Sequence, residues 1–379
     1  MIKKDNFFKT YFNNSKKYNK NFKKTKSIFN DFLLEIKSGN MPLLETFKKE
    51  YKFDFTTEMV KKFSKYNNII IIGMGGSILG TKSIYSFFKN NIKKKVFFFD
   101  DLDPSLHLKY KKIKNLNNSC FVVVSKSGNT LETITNLNII FSKKLIKNKL
   151  ILITEINDSS LMRFASIYNA EIIEHKNFIG GRYSVLSESS MFPAALMGIN
   201  LNKFRNLSTL IKDKNFVSAL IKNVTSIYTF NALGINNSVI LNYDSTLNDL
   251  GFWYLQLVGE SLGKKGKGIN PSLSSLPKDN HSLLQLYLDG PRDKFFTFFN
   301  TSSDSNENRI NSKIIPNSMN LLKNKNLKSI INAQHNATKN ILNLRKIPFR
   351  EFNFNKKNLE ELDKVFIFFI LETILLARL

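Results

Sequence analysis

Glu260 stands near the end of the apolar run "WYLQLVGESLGKKGKG" (253–268), just ahead of a Gly/Lys-rich stretch. A carboxylate at the negative end of a helix dipole, if also shielded from water, holds a proton more readily, as a general base must. The loop after it has the composition of a segment able to close over a substrate. Gln256 lies one turn earlier on the same helix face. Arg182 follows two glycines in "GGRYS" (180–184). Its guanidinium stays charged and offers planar donors, which suits it to steadying a developing oxyanion. Two further stretches have the make-up of anion cradles. In "GMGGSILG" (73–80) glycines permit close backbone approach, and Ser77 adds a hydroxyl at what reads as a helix start. In "SKSGNTLET" (125–133) Ser125, Ser127 and Thr130 supply hydroxyls, Lys126 a charge and Gly128 a turn. His281 precedes an apolar run in "KDNHSLLQ" (278–285), where a helix cap or packed core residue is the plainer reading.

Of these two cradles, the first lacks the spacing of a nucleotide loop. Gly73, Gly75 and Gly76 do not fit the dinucleotide pattern, and no Gly-Lys-Ser/Thr follows. Both follow short apolar runs, "NIIIIG" (68–73) and "CFVVVSKSG" (120–128), and two more runs, "KVFFFD" (95–100) and "LILIT" (150–154), lie nearby. Continuous apolar runs of this length suit strands buried on both faces of a parallel sheet. Helix-like segments between them predict a doubly wound α/β unit, with the cradles converging at the carboxyl edge of its sheet. "NSVILNYD" (237–244) and "DKFFTFFN" (293–300) predict strands of a second α/β unit. "LNDLGFWYLQLVGESLG" (247–263) and "DKVFIFFILETILLARL" (363–379) predict its helices. The division expected is a basic helical segment over 1–49, a first unit over 50–180, a linker carrying Arg182 over 181–204, and a second unit over 205–379.

The 379-residue chain carries a formal charge of +27, but its lysines are spread along the whole length among Asn, Ile and Phe. That distribution, without any nucleic-acid-binding motif, argues against a specific nucleic-acid partner. The densest basic stretch, 3–26, is expected to be solvated and partly helical. One cysteine, Cys120, excludes a disulfide framework and fits a reducing, cytoplasmic setting. The four histidines are far apart without ligand spacing, so no metal is expected. The apolar block at 365–379 carries Glu372 and Arg378 and reads as a buried helix, and no signal peptide is expected.

The motifs, in this order, resemble the phosphoglucose isomerase family from about residue 65 onward. The resemblance implies two sugar isomerase domains that interconvert glucose 6-phosphate and fructose 6-phosphate through a cis-enediol(ate), with no cofactor. It implies that Ser77, Ser125, Lys126, Ser127 and Thr130 hold the phosphate, and that Gly76, Gly181 and Gln256 line the substrate site. Glu260 would shuttle the proton between C2 and C1, Arg182 would stabilise the intermediate, and His281 would open the sugar ring from the neighbouring subunit of a homodimer. Family members continue beyond a helix such as "LETILLARL" with a Gln and a Lys of the active site, and neither has a counterpart here. Gln334, His335 and Lys339 do not match them in order or surroundings and are expected on a surface helix. The departure keeps open an alternative: a sugar-phosphate-binding protein that turns over poorly or not at all.

Overall fold

The computed structural model describes residues 8, 11–12, 15–141, 149–302 and 309–379. Five strands form the first sheet: β1 (Asn68–Gly73), β2 (Lys95–Phe99), β3 (Ser119–Val124), β4 (Leu150–Thr154) and β5 (Glu171–Glu174). They are all parallel, in the order β2-β1-β3-β4-β5. Successive side chains of a strand point to opposite faces. Ile70, Ile72, Phe121 and Val123 accordingly pack on one side, and Ile69, Ile71, Cys120 and Val122 on the other. Covering both faces with helices is what turns the usual strand alternation into continuous apolar runs. Burial pushes the Cys120 thiol up to about 12, so this cysteine is a packing residue.

The second sheet is also parallel, in the order β7-β6-β8-β9: β6 (Asn237–Asn242), β7 (Asn270–Ser275), β8 (Lys294–Thr301) and β9 (Phe349–Phe354). Its two edge strands were not among the strands expected. "NPSLSS" carries a proline and four polar side chains, which an edge strand tolerates. "FREFNF" alternates rather than running apolar, and it brings Arg350 into the core. There Arg350 donates to Glu372 at 2.5 Å and to the Tyr254 hydroxyl at 3.1 Å. Glu372 lies on the last helix, Leu359–Arg378, which is buried along most of its length, as expected of that apolar block. Among the described residues, no helix is long and apolar enough to cross a membrane.

Within the basic stretch 3–26 the described lysines are exposed and part of the chain is helical, as expected, while Phe8 and Thr25 are buried. Residues 1–7, 9–10 and 13–14 lie outside the described residues, but Lys16–Ser38 is one helix capped by Ser15 and ended by Gly39 in the left-handed conformation. Its Thr25, Phe29, Phe32 and Ile36, at three- and four-residue spacings, are buried. Arg378 of the last helix donates to both Glu35 oxygens, at 2.6 and 2.7 Å. The lysines occupy the outer face, and the apolar stripe between them drives docking onto the second unit. Residues 181–204 hold a 3₁₀ turn, Gly181–Leu186, and the buried helix Glu188–Leu196.

Candidate active site

Gly73 of β1 is in register with Val124 of β3, so the two glycine- and hydroxyl-bearing loops leave adjacent strand ends. The chain runs from β1 out to β2 and crosses back to β3, which makes the β1/β3 boundary the place where the strand order reverses and a crevice opens. The helix Gly76–Phe88 starts at the first loop, with Ser77 in its first turn. The second loop is held by its own polar groups. The Ser125 and Thr130 hydroxyls share a hydrogen bond at 2.8 Å, and the Asn129 amide donates to Ser127 Oγ at 3.2 Å. Gly128 has φ +69°, and a side chain there would collide with Ser159. Lys126 turns away, donating to the Asn177 carbonyl at 2.7 Å and lying 3.6 Å from Glu155.

Three segments meet at the first loop. A Cβ on Gly76 would fall 2.8 Å from the Arg182 amide nitrogen and closer still to the Gly181 carbonyl. Ser184 seals that backbone contact by donating to the carbonyls of Gly76 at 3.1 Å and Gly181 at 2.8 Å. Gly75, with φ +54°, faces the second unit: a Cβ there would lie 2.9 Å from Gln256 Nε2. Gln256 belongs to the helix Asn248–Leu262, which runs antiparallel to Gly76–Phe88. At the other end of that helix pair, Ser83 donates to the Asp249 carbonyl at 2.8 Å, and Lys82 lies 2.6 Å from Asp100 and 3.8 Å from Asp249.

Gln256 Nε2 donates to Glu260 Oε1 at 2.8 Å, and Arg182 Nη1 stands 3.6 Å from Glu260 Oε2. A carboxylate, a guanidinium and an amide thus adjoin the glycine loop, as the motifs imply. Glu260 is in the last turn of its helix, at the negative dipole end. Its side chain is 50% exposed, which corrects the expectation that burial shields it within one chain. Two residues with no signal of their own in the sequence join this cluster. Arg182 Nε donates to Ser261 Oγ at 2.7 Å, and Ser261 Oγ shares a 2.9 Å hydrogen bond with the Tyr183 hydroxyl. Both neighbour a singled-out residue in the chain, and nothing in composition or spacing marks them further.

His281 is not brought to this cluster. The helix Asn248–Leu262 leaves the carboxyl end of β6 and returns to the amino end of β7, so Glu260 is near that amino end. His281 lies beyond the carboxyl end of β7, exposed on the short turn Lys278–His281. Six strand residues separate the two levels, roughly 20 Å. Gln334, His335 and Lys339 lie on the helix Leu327–Leu344, which covers the sheet face opposite Asn248–Leu262. That helix lies at the surface, as expected, with Gln334 exposed, but it turns His335 inward: His335 is 3% exposed, with Nε2 3.3 Å from Glu351. Among the described residues, no group of three or more His, Cys, Asp or Glu could hold a metal ion.

A family model for phosphoglucose isomerase matches residues 45–275, more than half of the chain. A glucose-6-phosphate isomerase of Methanocaldococcus jannaschii is 40% identical over 261 residues, which cover 65% of this chain and 63% of that protein. A probable glucose-6-phosphate isomerase of Methanococcus maripaludis is 29% identical over 337 residues, 84% of this chain and 75% of the relative. The chain thus matches just under two-thirds of the first of these relatives. Among solved structures, a hypothetical protein of Thermus thermophilus superposes with a TM-score of 0.78 at 21% identity, over 95% of this chain and 90% of that one. A glucose-6-phosphate isomerase of Chlamydia trachomatis gives a TM-score of 0.66 at 19% identity, over 84% of this chain and 66% of that one. At those identities the two structures speak for the fold.

Proposed function

Because the chain belongs to the phosphoglucose isomerase family, we propose that it interconverts glucose 6-phosphate and fructose 6-phosphate through a cis-enediol(ate). The observation that carries this reading is Glu260 held 3.6 Å from Arg182 beside the Gly75–Gly76 turn. A proton α to a carbonyl is weakly acidic, and removing it takes a positioned base and a cation for the enolate oxygen. Glu260 takes the proton from C2 of the open-chain aldose and returns it to C1. The Arg182 Nη donors face the oxygen that gains charge between those steps. The substrate is oxidised at one carbon and reduced at its neighbour, so the reaction balances without a redox partner.

The phosphate occupies the crevice between the loops after β1 and β3, where Ser77, Ser125, Ser127 and Thr130 offer hydroxyls and Lys126 a charge within reach of a rotamer change. Binding energy gathered there positions the reacting carbons against Glu260. Gly76, Gly181 and Gln256 form the wall between phosphate and base. His281 acts in ring opening from a second copy of the chain, in a homodimer. The roughly 20 Å between the levels of Glu260 and His281 within one chain supports that assignment. Glycolysis and gluconeogenesis in the cytoplasm are the setting such a reaction implies.

A coupled assay tests the reading. Fructose 6-phosphate is supplied, and glucose 6-phosphate is read as NADPH through a dehydrogenase. Turnover should fall by about 10²–10⁴ in Glu260→Gln, the range of a lost general base. Fructose 6-phosphate that raises the melting temperature without turnover would instead identify a binding protein.

A further inference from the structure

We propose that Ser261, backed by Tyr183, is a positioning residue that holds Arg182 beside Glu260 without letting the two close into a direct ion pair. The inference deepens the isomerase reading and rests on it. Glu260 and Ser261 are consecutive, so the helix points them about 100° apart. The first is half exposed in the crevice, and the second is 5% exposed on the inner side. Arg182 straddles them. Its Nε proton goes to Ser261 Oγ at 2.7 Å, while its Nη1 stops 3.6 Å from Glu260 Oε2. A charge-assisted hydrogen bond would close to about 2.7–2.9 Å, so the pair stands open by most of an ångström.

The anchor is fixed from a third direction. The Tyr183 hydroxyl is 2.9 Å from Ser261 Oγ, and the Arg182 guanidinium carbon lies 4.7 Å from the centre of the Tyr183 ring. Tyr183 thus supports the plane of the guanidinium and the hydroxyl that receives its Nε. Tyr183 sits on the 3₁₀ turn that the Gly76–Gly181 contact fixes, and Ser261 on the end of the helix Asn248–Leu262. The consequence is chemical. A guanidinium in a fork-to-fork pair with Glu260 would commit two of its five N–H donors to the carboxylate and turn its fork away from the substrate oxygen. It would also occupy the carboxylate oxygens that must reach a carbon-bound proton. Anchoring Nε elsewhere keeps both groups adjacent and unspent.

Ser261→Ala, Ser261→Thr and Tyr183→Phe are compared with wild type in the coupled fructose 6-phosphate assay, with melting temperatures alongside. Ser261→Ala is expected to lose about 100-fold in kcat, the scale of an ångström of misplacement. Its KM should stay within about twofold, because the phosphate loops are untouched. Ser261→Thr keeps the hydroxyl and should recover most of the loss, and Tyr183→Phe should fall between. The second readout is the Arg182 Nε–H resonance in ¹⁵N-labelled protein, assigned with Arg182→Lys. It should exchange slowly with water in wild type and rapidly in Ser261→Ala. Wild type without turnover would sink the isomerase reading, and the resonance would still decide the positioning. A folded Ser261→Ala with kcat within twofold of wild type, or an Nε–H exchanging equally fast in both, would overturn the inference.

Discussion

Gly76→Ala puts one methyl group where three segments meet. The new Cβ would sit 2.8 Å from the Arg182 amide nitrogen and closer to the Gly181 carbonyl, against about 3.5 Å for an unstrained contact. Neither neighbour is a flexible side-chain end, so the Gly181–Arg182 backbone must retreat by roughly 1 Å. Ser184 resists, because it bonds both carbonyls that would have to part. Overpacking of this kind costs about 1–3 kcal/mol. Alanine's helix propensity returns at most about 1 kcal/mol, and less in a first turn, so the net effect is destabilising. The larger effect falls on chemistry, since Arg182 moves with its backbone and such a shift costs about 100-fold in rate. The coupled assay and a thermal melt measure the two effects. Loss of kcat should exceed what the modest fall in melting temperature explains. A Gly76→Ala protein with kcat within twofold of wild type would refute the claim that this contact sets the position of Arg182.

Equal mixing of Glu260→Gln and His281→Ala subunits, unfolded and refolded together, should restore about a quarter of wild-type turnover, because half the dimers then carry one intact site. Turnover no higher than the average of the two variants would place His281 outside the partner's site. Burial pushes the Asp363 carboxyl up to about 6, although Arg205 and Asn206 donate three N–H bonds to it. A folded value above that of the unfolded chain means that its contribution to stability is full below about pH 4 and lost as pH rises through about 6. The stability of wild type relative to Asp363→Asn in urea should therefore drop by up to about 3 kcal/mol between pH 4 and 7. A pH-independent difference would contradict that burial cost.

By itself the sequence determined the elements whose signal is local. "NIIIIG" and "CFVVVSKSG" declare buried strands because both sheet faces are covered, and the glycines and hydroxyls after them declare loops that can approach an anion. Glu260, Arg182 and the two cradles were legible as residue types in strand-to-helix or glycine contexts. Tertiary structure decided everything that depends on which segments touch. The edge strands Asn270–Ser275 and Phe349–Phe354 lack an apolar run because part of their surface faces solvent or a buried ion pair. In the Lys16–Ser38 helix lysines outnumber the buried stripe, and the second unit supplies the surface that buries Phe29 and Phe32. Ser261 and Tyr183 are ordinary in the sequence, and they gain a role where the Gly76–Gly181 contact brings Arg182 across the end of a helix nearly eighty residues further along the chain. His281 and Glu260 are close in the chain yet lie at opposite ends of a strand, because a helix returning to the amino end of β7 separates its own last turn from the turn after that strand. Residue type and spacing fix which chemistry a chain can offer. Long-range packing fixes which of those groups meet, because the contact energy is shared between segments that no local pattern relates.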